Sequence, residues 1–309
     1  MSRGLAHVDD EIASQPECWR RAVTLAAAVG ELLPRRGESA AVVGCGTSWF
    51  MAMSYASARE AAGHGWTDAF QASEFPAVSA RGPARPSALT GSDATRRYDR
   101  IVAITRSGTT TEVLDLLRAL SSTRTPSTVL VGDPAAEAAR LATHVVALPF
   151  ADERSVLQTR FATTALTLLR AHLGLPSGDP TGALAADLPL DPAGTEQVTF
   201  LGRGWTVGLA QEAALKCREA AQFWTEAYPA MDYRHGPIAV AAPGRAVWAF
   251  GDVPDGLAGD VARTGAAFVH GPDPLAELVV AQRFAVALAR HRGLDPDHPR
   301  HLTRSVVLS

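Results

Sequence analysis

Ile101-Val102-Ala103-Ile104-Thr105-Arg106-Ser107-Gly108-Thr109-Thr110-Thr111-Glu112-Val113-Leu114 is an apolar run that stops at a hydroxyl-rich turn, where a helical pattern begins at once. Ile101 to Ile104 read as a strand buried on both faces, and Val113, Leu114, Leu116 and Leu117 recur at helical spacing after it. Between them stand Thr105, Ser107, Thr109, Thr110 and Thr111, with Gly108 at the sharpest point of the turn. A helix N-terminus carries unpaired N–H groups and a partial positive charge, so hydroxyls and amides crowded there suit a dianionic phosphate. The plainer alternative is a Ser/Thr-rich helix cap with Glu112 as its first-turn acid. Five hydroxyls in seven positions around one glycine favour the phosphate cradle.

An earlier strand, turn and helix opens at Ala40-Ala41-Val42-Val43-Gly44-Cys45-Gly46-Thr47-Ser48-Trp49. Gly44-Cys45-Gly46 invites a dinucleotide reading, but Trp49 stands where a third glycine would let helix and strand approach, which argues against a Rossmann dehydrogenase. Val129 to Asp133 read as the next strand and turn, giving alternating strands and helices. The pattern returns 158 residues later at Thr199-Phe200-Leu201-Gly202-Arg203-Gly204-Trp205-Thr206, with a helix expected from Thr206 or Val207. The spacing predicts a duplicated α/β unit. The expected organisation is an N-terminal helical segment (1–36, one amphipathic helix from about Asp9 to Leu33), a first subdomain (37–173), a Gly/Pro/Asp/Ala-rich linker (174–194) and a second subdomain with a tail (195–309). The second half has no counterpart of Thr105 to Thr111, so one phosphate site is expected.

These residues resemble a known family. Thr47-Ser48, Ala72-Ser73-Glu74-Phe75, the Thr105 to Thr110 turn, Glu153-Arg154-Ser155-Val156, the run from Gln211 to Pro237 and the tail Pro299 to Val306 are similar, in order and over nearly the whole chain, to the sugar isomerase (SIS) domains. The likeness is to the isomerase half of glucosamine-6-phosphate synthase and to hexosamine-phosphate deaminases and deglycases. It implies two parallel-sheet subdomains flanked by helices, each a flavodoxin-like three-layer sandwich, and a homodimer with sites near the subunit interface. It further implies that Thr105, Arg106, Ser107, Gly108 and Thr110 hold a sugar phosphate, that Thr47 and Ser48 meet the substrate, and that Val156 lies against it.

At 309 residues and 47% hydrophobic content, the chain is large enough for two modest cores. A formal charge of −3 offers no basic footprint for nucleic acid. No apolar run is long enough to span a membrane and no leader pattern opens the chain, so a cytoplasmic protein is expected. Cys18, Cys45 and Cys217 are too scattered for a disulfide framework or a metal cluster. Neither a metal nor a cofactor is expected.

Lys216 is the only lysine, beside 28 arginines. An ammonium that survives such a bias implies work a guanidinium cannot do, by its compactness or by losing its proton. Glu212, Lys216 and Glu219 fall on one helical face, as a solvated ion-pair row also would. Gln211 to Glu219 resembles the family's active-site helix, which implies that Glu219 is the general base moving a proton between C1 and C2. Such a base is a carboxylate set over the carbon and partly desolvated, and Phe223 and Trp224 are the apolar neighbours in sequence. His235, in Asp232-Tyr233-Arg234-His235-Gly236-Pro237, resembles the histidine that opens the sugar ring; unaided, the residues also fit a histidine capping a turn.

One position departs from the family. Arg304 stands where the synthase tail has an imine-forming lysine, and a guanidinium is too weak a nucleophile for that adduct; Arg304 is expected to close over substrate and neutralise charge. With about 39 residues before the first strand and no N-terminal cysteine nucleophile, glutamine-fed amination is not expected within this chain. The resemblance then implies aldose–ketose isomerisation of a hexose or amino-sugar 6-phosphate, coupled to deamination or deglycation. The alternative is a non-catalytic sugar-phosphate sensor; residues 1 to 39 offer no recognition helix for one, and Glu219 and His235 would be idle in it. The sugar itself is expected to be read by Gly82 to Arg97 and Trp224 to Met231.

Overall fold

Short runs of Ala, Val, Ile and Leu bounded by Gly, Ser and Thr form strands covered on both faces. In the computed structural model, which describes residues 7–75, 98–121 and 123–308, they build two parallel sheets. The first holds β1 (Ala40–Gly44), β2 (Thr67–Gln71), β3 (Arg100–Thr105), β4 (Ser127–Val131) and β5 (His144–Ala147) in the order β2-β1-β3-β4-β5. The second holds β6 (Gln197–Gly202), β7 (Thr225–Pro229), β8 (Arg245–Phe250) and β9 (Ala267–His270) in the order β7-β6-β8-β9. β1, β3, β4 and β6 are buried at every residue, as expected for mostly apolar parallel strands covered on both faces, with Arg100, Ser127, Thr128, Gln197 and Thr199 buried among them.

The helices are α1 (His7–Ala13), α2 (Gln15–Val29), α3 (Thr47–Ala61), α4 (Thr111–Leu120), α5 (Glu137–Leu141), α6 (Arg160–His172), α7 (Thr181–Ala185), α8 (Val207–Ala221), α9 (Leu257–Arg263) and α10 (Pro274–His291). Two compact units result. One gathers the residues up to Arg21, Glu153–Thr164 and Pro176–Arg304 around the second sheet. The other gathers Ala22–Asp152, Ala165–Leu175 and the tail from Ser305 around the first. Val43, Ala103, Val129 and Val131 pack with Val113, Leu116 and Leu117 of α4 in the first-sheet unit; Leu201, Val247 and Ala249 pack with Leu257, Val261 and Tyr233 in the second. Each of these fully buried Val and Leu side chains stabilises its unit by about 1.5–3 kcal/mol.

The duplication is built into the backbone. A Cβ on Gly44 would stand 2.5 Å from the Ser48 carbonyl carbon, and one on Gly202 would collide with the Thr206 carbonyl, so both glycines let a helix start against its own strand. Gly46 and Gly204, again 158 apart, take φ of +53° and +57°. The close approach that Trp49 was expected to prevent is therefore made, through Gly44 instead. At the N-terminus the structure has two helices where one was expected. The chain breaks at Ser14, because Pro16 has no N–H to continue the ladder of α1. The segment 174–194 contains α7, and the loop from 82 to 97 lies outside the described residues.

Candidate functional site

The order β2-β1-β3-β4-β5 reverses direction between β1 and β3, and open parallel sheets bind ligands beyond the carboxyl ends of the strands at such a switch point. β1 and β3 pair with Val43 opposite Ala103. The turns that follow them, Cys45 to Ser48 and Arg106 to Thr110, therefore emerge side by side. Thr47 and Ser48 start α3 and are buried. Thr105 ends β3, and its Oγ1 accepts the Gly108 N–H at 3.2 Å; Ser107 Oγ accepts the Thr109 N–H at 3.2 Å. Gly108 has φ +65°, and a Cβ there would stand 2.5 Å from Ala136 Cβ, so the turn admits no side chain at its apex. Buried Arg106 ties the turn to the next one, its carbonyl accepting the Gly132 N–H at 3.0 Å.

Thr110 is the residue before α4, yet its hydroxyl makes no capping bond. Instead the tail enters here. Ser107 Oγ donates to Ser305 Oγ at 3.2 Å, Thr109 Oγ1 donates to it at 2.9 Å, and Thr110 Oγ1 lies 3.5 Å away. The Thr111 N–H donates to the Val306 carbonyl at 3.2 Å, and the Leu308 N–H to Thr111 Oγ1 at 2.9 Å. A hydroxyl thus sits at the focus of the Ser107, Thr109 and Thr110 side chains, at a helix N-terminus. Sequence reasoning quoted Ser305 within the tail but gave it no role, since nothing local marks a contact 195 to 198 positions away.

The second-sheet unit carries the titratable groups. Helix α8 follows β6 and returns beside the sheet, so Glu219 and Lys216 fall in its last turns, ahead of β7. Lys216 and Glu212 are fully buried, while the Glu219 side chain is 21% exposed. Lys216 Nζ stands 2.5 Å from Glu219 Oε2 and 3.5 Å from Glu212 Oε1. Burial alone would push the lysine pKa down, but Glu212, Glu219 and Glu153 outweigh it and hold the pKa above the ordinary value. The ammonium is kept as a cation, and it fixes the Glu219 carboxylate at the half-open end of the pair. Phe223 and Trp224 do other work: the Arg292 guanidinium lies 4.8 Å over Phe223 and that of Arg245 5.0 Å over Trp224.

His235 is exposed at the end of a 3₁₀ turn, Asp232–His235, just before Gly236 at φ +145°. The turn is pinned by buried Tyr233 and by Arg234, which donates to Asp260 Oδ2 at 2.5 Å and to the Asp255 carbonyl at 2.7 Å. The Val156 N–H donates to the Asp297 carbonyl at 3.0 Å. Arg304 donates through Nη1 to the Glu153 carbonyl, in the same unit as Lys216. Thr47, Ser48, Thr105, Arg106, Ser107, Gly108 and Thr110 are thus gathered in the first-sheet unit, and Lys216, Glu219, His235, Val156 and Arg304 belong to the second. Among the described residues no group of three or more His, Cys, Asp or Glu is arranged to hold a metal ion.

Solved structures share this fold of two parallel α/β units. The chain superposes on the glucosamine-6-phosphate deaminase of Thermotoga maritima with a TM-score of 0.78, at 22% identity over 98% of this chain and 100% of that one. It superposes on the C-terminal domain of glucosamine-fructose-6-phosphate aminotransferase from Francisella tularensis with a TM-score of 0.76, at 21% identity over 97% and 100%. In sequence it is 27% identical over 254 residues, 69% of the chain, to the glutamine–fructose-6-phosphate aminotransferase of Sulfolobus acidocaldarius, and the match takes up 43% of that relative's length. No protein-family model matches the chain.

Proposed function

We propose that the chain is an enzyme of the SIS phosphosugar type, acting on a hexose or amino-sugar 6-phosphate by aldose–ketose isomerisation coupled to deamination or deglycation. The observation that carries this reading is the half-open Glu219 carboxylate, held 2.5 Å from a buried lysine ammonium. A sensor of sugar phosphates needs the hydroxyl turn but not such a pair. The hydroxyls of Ser107 and Thr110 and the amides of the turn take the phosphate, with Thr47 and Ser48 beside them at the switch point. His235 moves the proton that opens the ring. Glu219 removes the proton from C2 of the aldose and returns it to C1 through an enediol, or the reverse from the ketose. Lys216 stays protonated and orients Glu219. Arg304 contributes charge and no imine.

Among the described residues no helix is long and apolar enough to cross a membrane. The resemblance to SIS proteins extends the proposal to a cytoplasmic homodimer. The test is incubation with glucosamine 6-phosphate, glucose 6-phosphate and fructose 6-phosphate, following fructose 6-phosphate, glucose 6-phosphate and ammonia. Interconversion or ammonia release with at least one substrate is expected; binding of all three with no turnover would establish the sensor instead.

A further inference from the structure

Helix α1 brings to the second-sheet unit a carboxyl that the proposed chemistry does not use. Glu11 is 3% exposed. Its Oε1 accepts the N–H of Arg154 at 2.6 Å and of Ser155 at 3.2 Å, 143 and 144 positions along the chain. Its Oε2 is buried and accepts no hydrogen bond among the described residues. The two amides lie between Glu153 and Val156. Glu153 Oε1 accepts the Thr159 N–H at 2.6 Å, the Thr159 hydroxyl at 2.9 Å and the Arg160 N–H at 2.7 Å, and its charge helps keep Lys216 protonated. Arg160 in turn donates to the Ser14 hydroxyl at 3.0 Å.

We propose that Glu11 is a positioning residue: its carboxyl clamps the Arg154-Ser155 backbone and so fixes the turn that presents Glu153 and Val156. The role rests on the proposed sugar-phosphate chemistry, but the clamp itself can be tested without turnover. Around Glu11 stand Glu153 and Arg160 from the clamped segment. On the flanks of α1, Asp9 pairs with Arg290 and Asp297 accepts the amides of His7 and Val8, while the buried Cys18 thiol senses the same Arg160 and Glu153. Burial and the Glu153 charge raise the Glu11 pKa to about 7, against the pull of the two amides and Arg160. A proton on the unbonded Oε2 leaves Oε1 free to accept both amides. The clamp therefore survives protonation, and what changes is the charge set against Glu153. Above the midpoint two buried carboxylates repel each other across one turn, and the turn loosens.

The experiment compares the full chain with Glu11→Gln, Glu11→Ala and Glu11→Asp. It reads amide hydrogen exchange at Arg154 and Ser155, and KM and kcat for fructose 6-phosphate, from pH 5.5 to 8.5. Gln keeps the accepting oxygen without the charge, so protection should match the parent at low pH, and KM should stay flat where the parent's rises through about pH 7. Ala, or Asp if Ala does not fold, should lose protection at both amides at least tenfold and raise KM with kcat nearly unchanged. Parent-like protection in Ala or Asp overturns the clamp. A parent KM as flat with pH as that of Gln overturns the proton-linked part. If no sugar phosphate turns over, the proposed function fails while the exchange measurement still decides the clamp.

Discussion

Lys216 carries the argument at the scale of a residue. Its ammonium fits a fully buried space between Glu212 and Glu219. A guanidinium is larger and planar, so Lys216→Arg should cost about 1–3 kcal/mol of stability through overpacking and lower turnover at least tenfold by displacing Glu219. Denaturant unfolding and steady-state kinetics read the two effects separately. Because the lysine is held protonated, borohydride reduction with a ketose phosphate should trap nothing, either at Lys216 or at Arg304; an adduct mapped to Lys216 would make it a Schiff-base residue instead. Glu11 gives a pH signature of its own. Its folded pKa of about 7 lies above the unfolded carboxylate value of 4.5, so the native state binds the extra proton between those values. This contribution to stability is complete below pH 4.5 and lost as pH rises through about 7. Glu11→Gln should consequently gain in melting temperature relative to the parent as pH rises from 5 to 8, and an unchanging difference would contradict the shift.

At the scale of the element, the decisive turn was legible because its signals are local. Buried strand, hydroxyls, glycine and helix follow each other within Ile101 to Leu114, and the structure places them as β3, the turn and α4. The same holds for β1 with its Gly44-Cys45-Gly46 turn and for β6 with Gly202-Arg203-Gly204. What sequence could not show depends on long-range closure: Ser305 against Ser107 and Thr109, and Glu11 against Arg154, join positions more than a hundred residues apart. The break between α1 and α2 has a local mark, Pro16, which the single helix expected from about Asp9 to Leu33 runs straight through. Ser107→Ala with Thr110→Ala should weaken fructose 6-phosphate binding by about 1.5–3 kcal/mol per lost charge-assisted bond, measured by calorimetry. The helix should persist by circular dichroism, since neither hydroxyl caps it. Unchanged affinity would remove the phosphate from this turn.

At the scale of the whole molecule, the four strands of the second sheet repeat the order of the first four of the first sheet, both sheets use one helix-start device, and the chemically active side chains differ between them. The first-sheet unit keeps the hydroxyl turn; the second has acquired buried charge on α8. If the duplication reading is right, Gly44→Ala and Gly202→Ala should be equivalent injuries, each driving a methyl into helix backbone and costing about 3 kcal/mol or more in denaturant unfolding. A mild effect at either position would mean that its helix start can shift. The proposed chemistry stands on Glu219 moving a substrate proton while Lys216 holds it in place. Its most direct measurement is exchange of a C1 hydrogen of fructose 6-phosphate with deuterated water, followed by proton NMR in the parent and in Glu219→Gln. The account predicts exchange in the parent and none above background in Glu219→Gln, whose affinity for the sugar phosphate stays within a small factor of the parent's, because an amide cannot serve as the base. Undiminished exchange in Glu219→Gln would contradict it and move the base to Glu212 or Glu153.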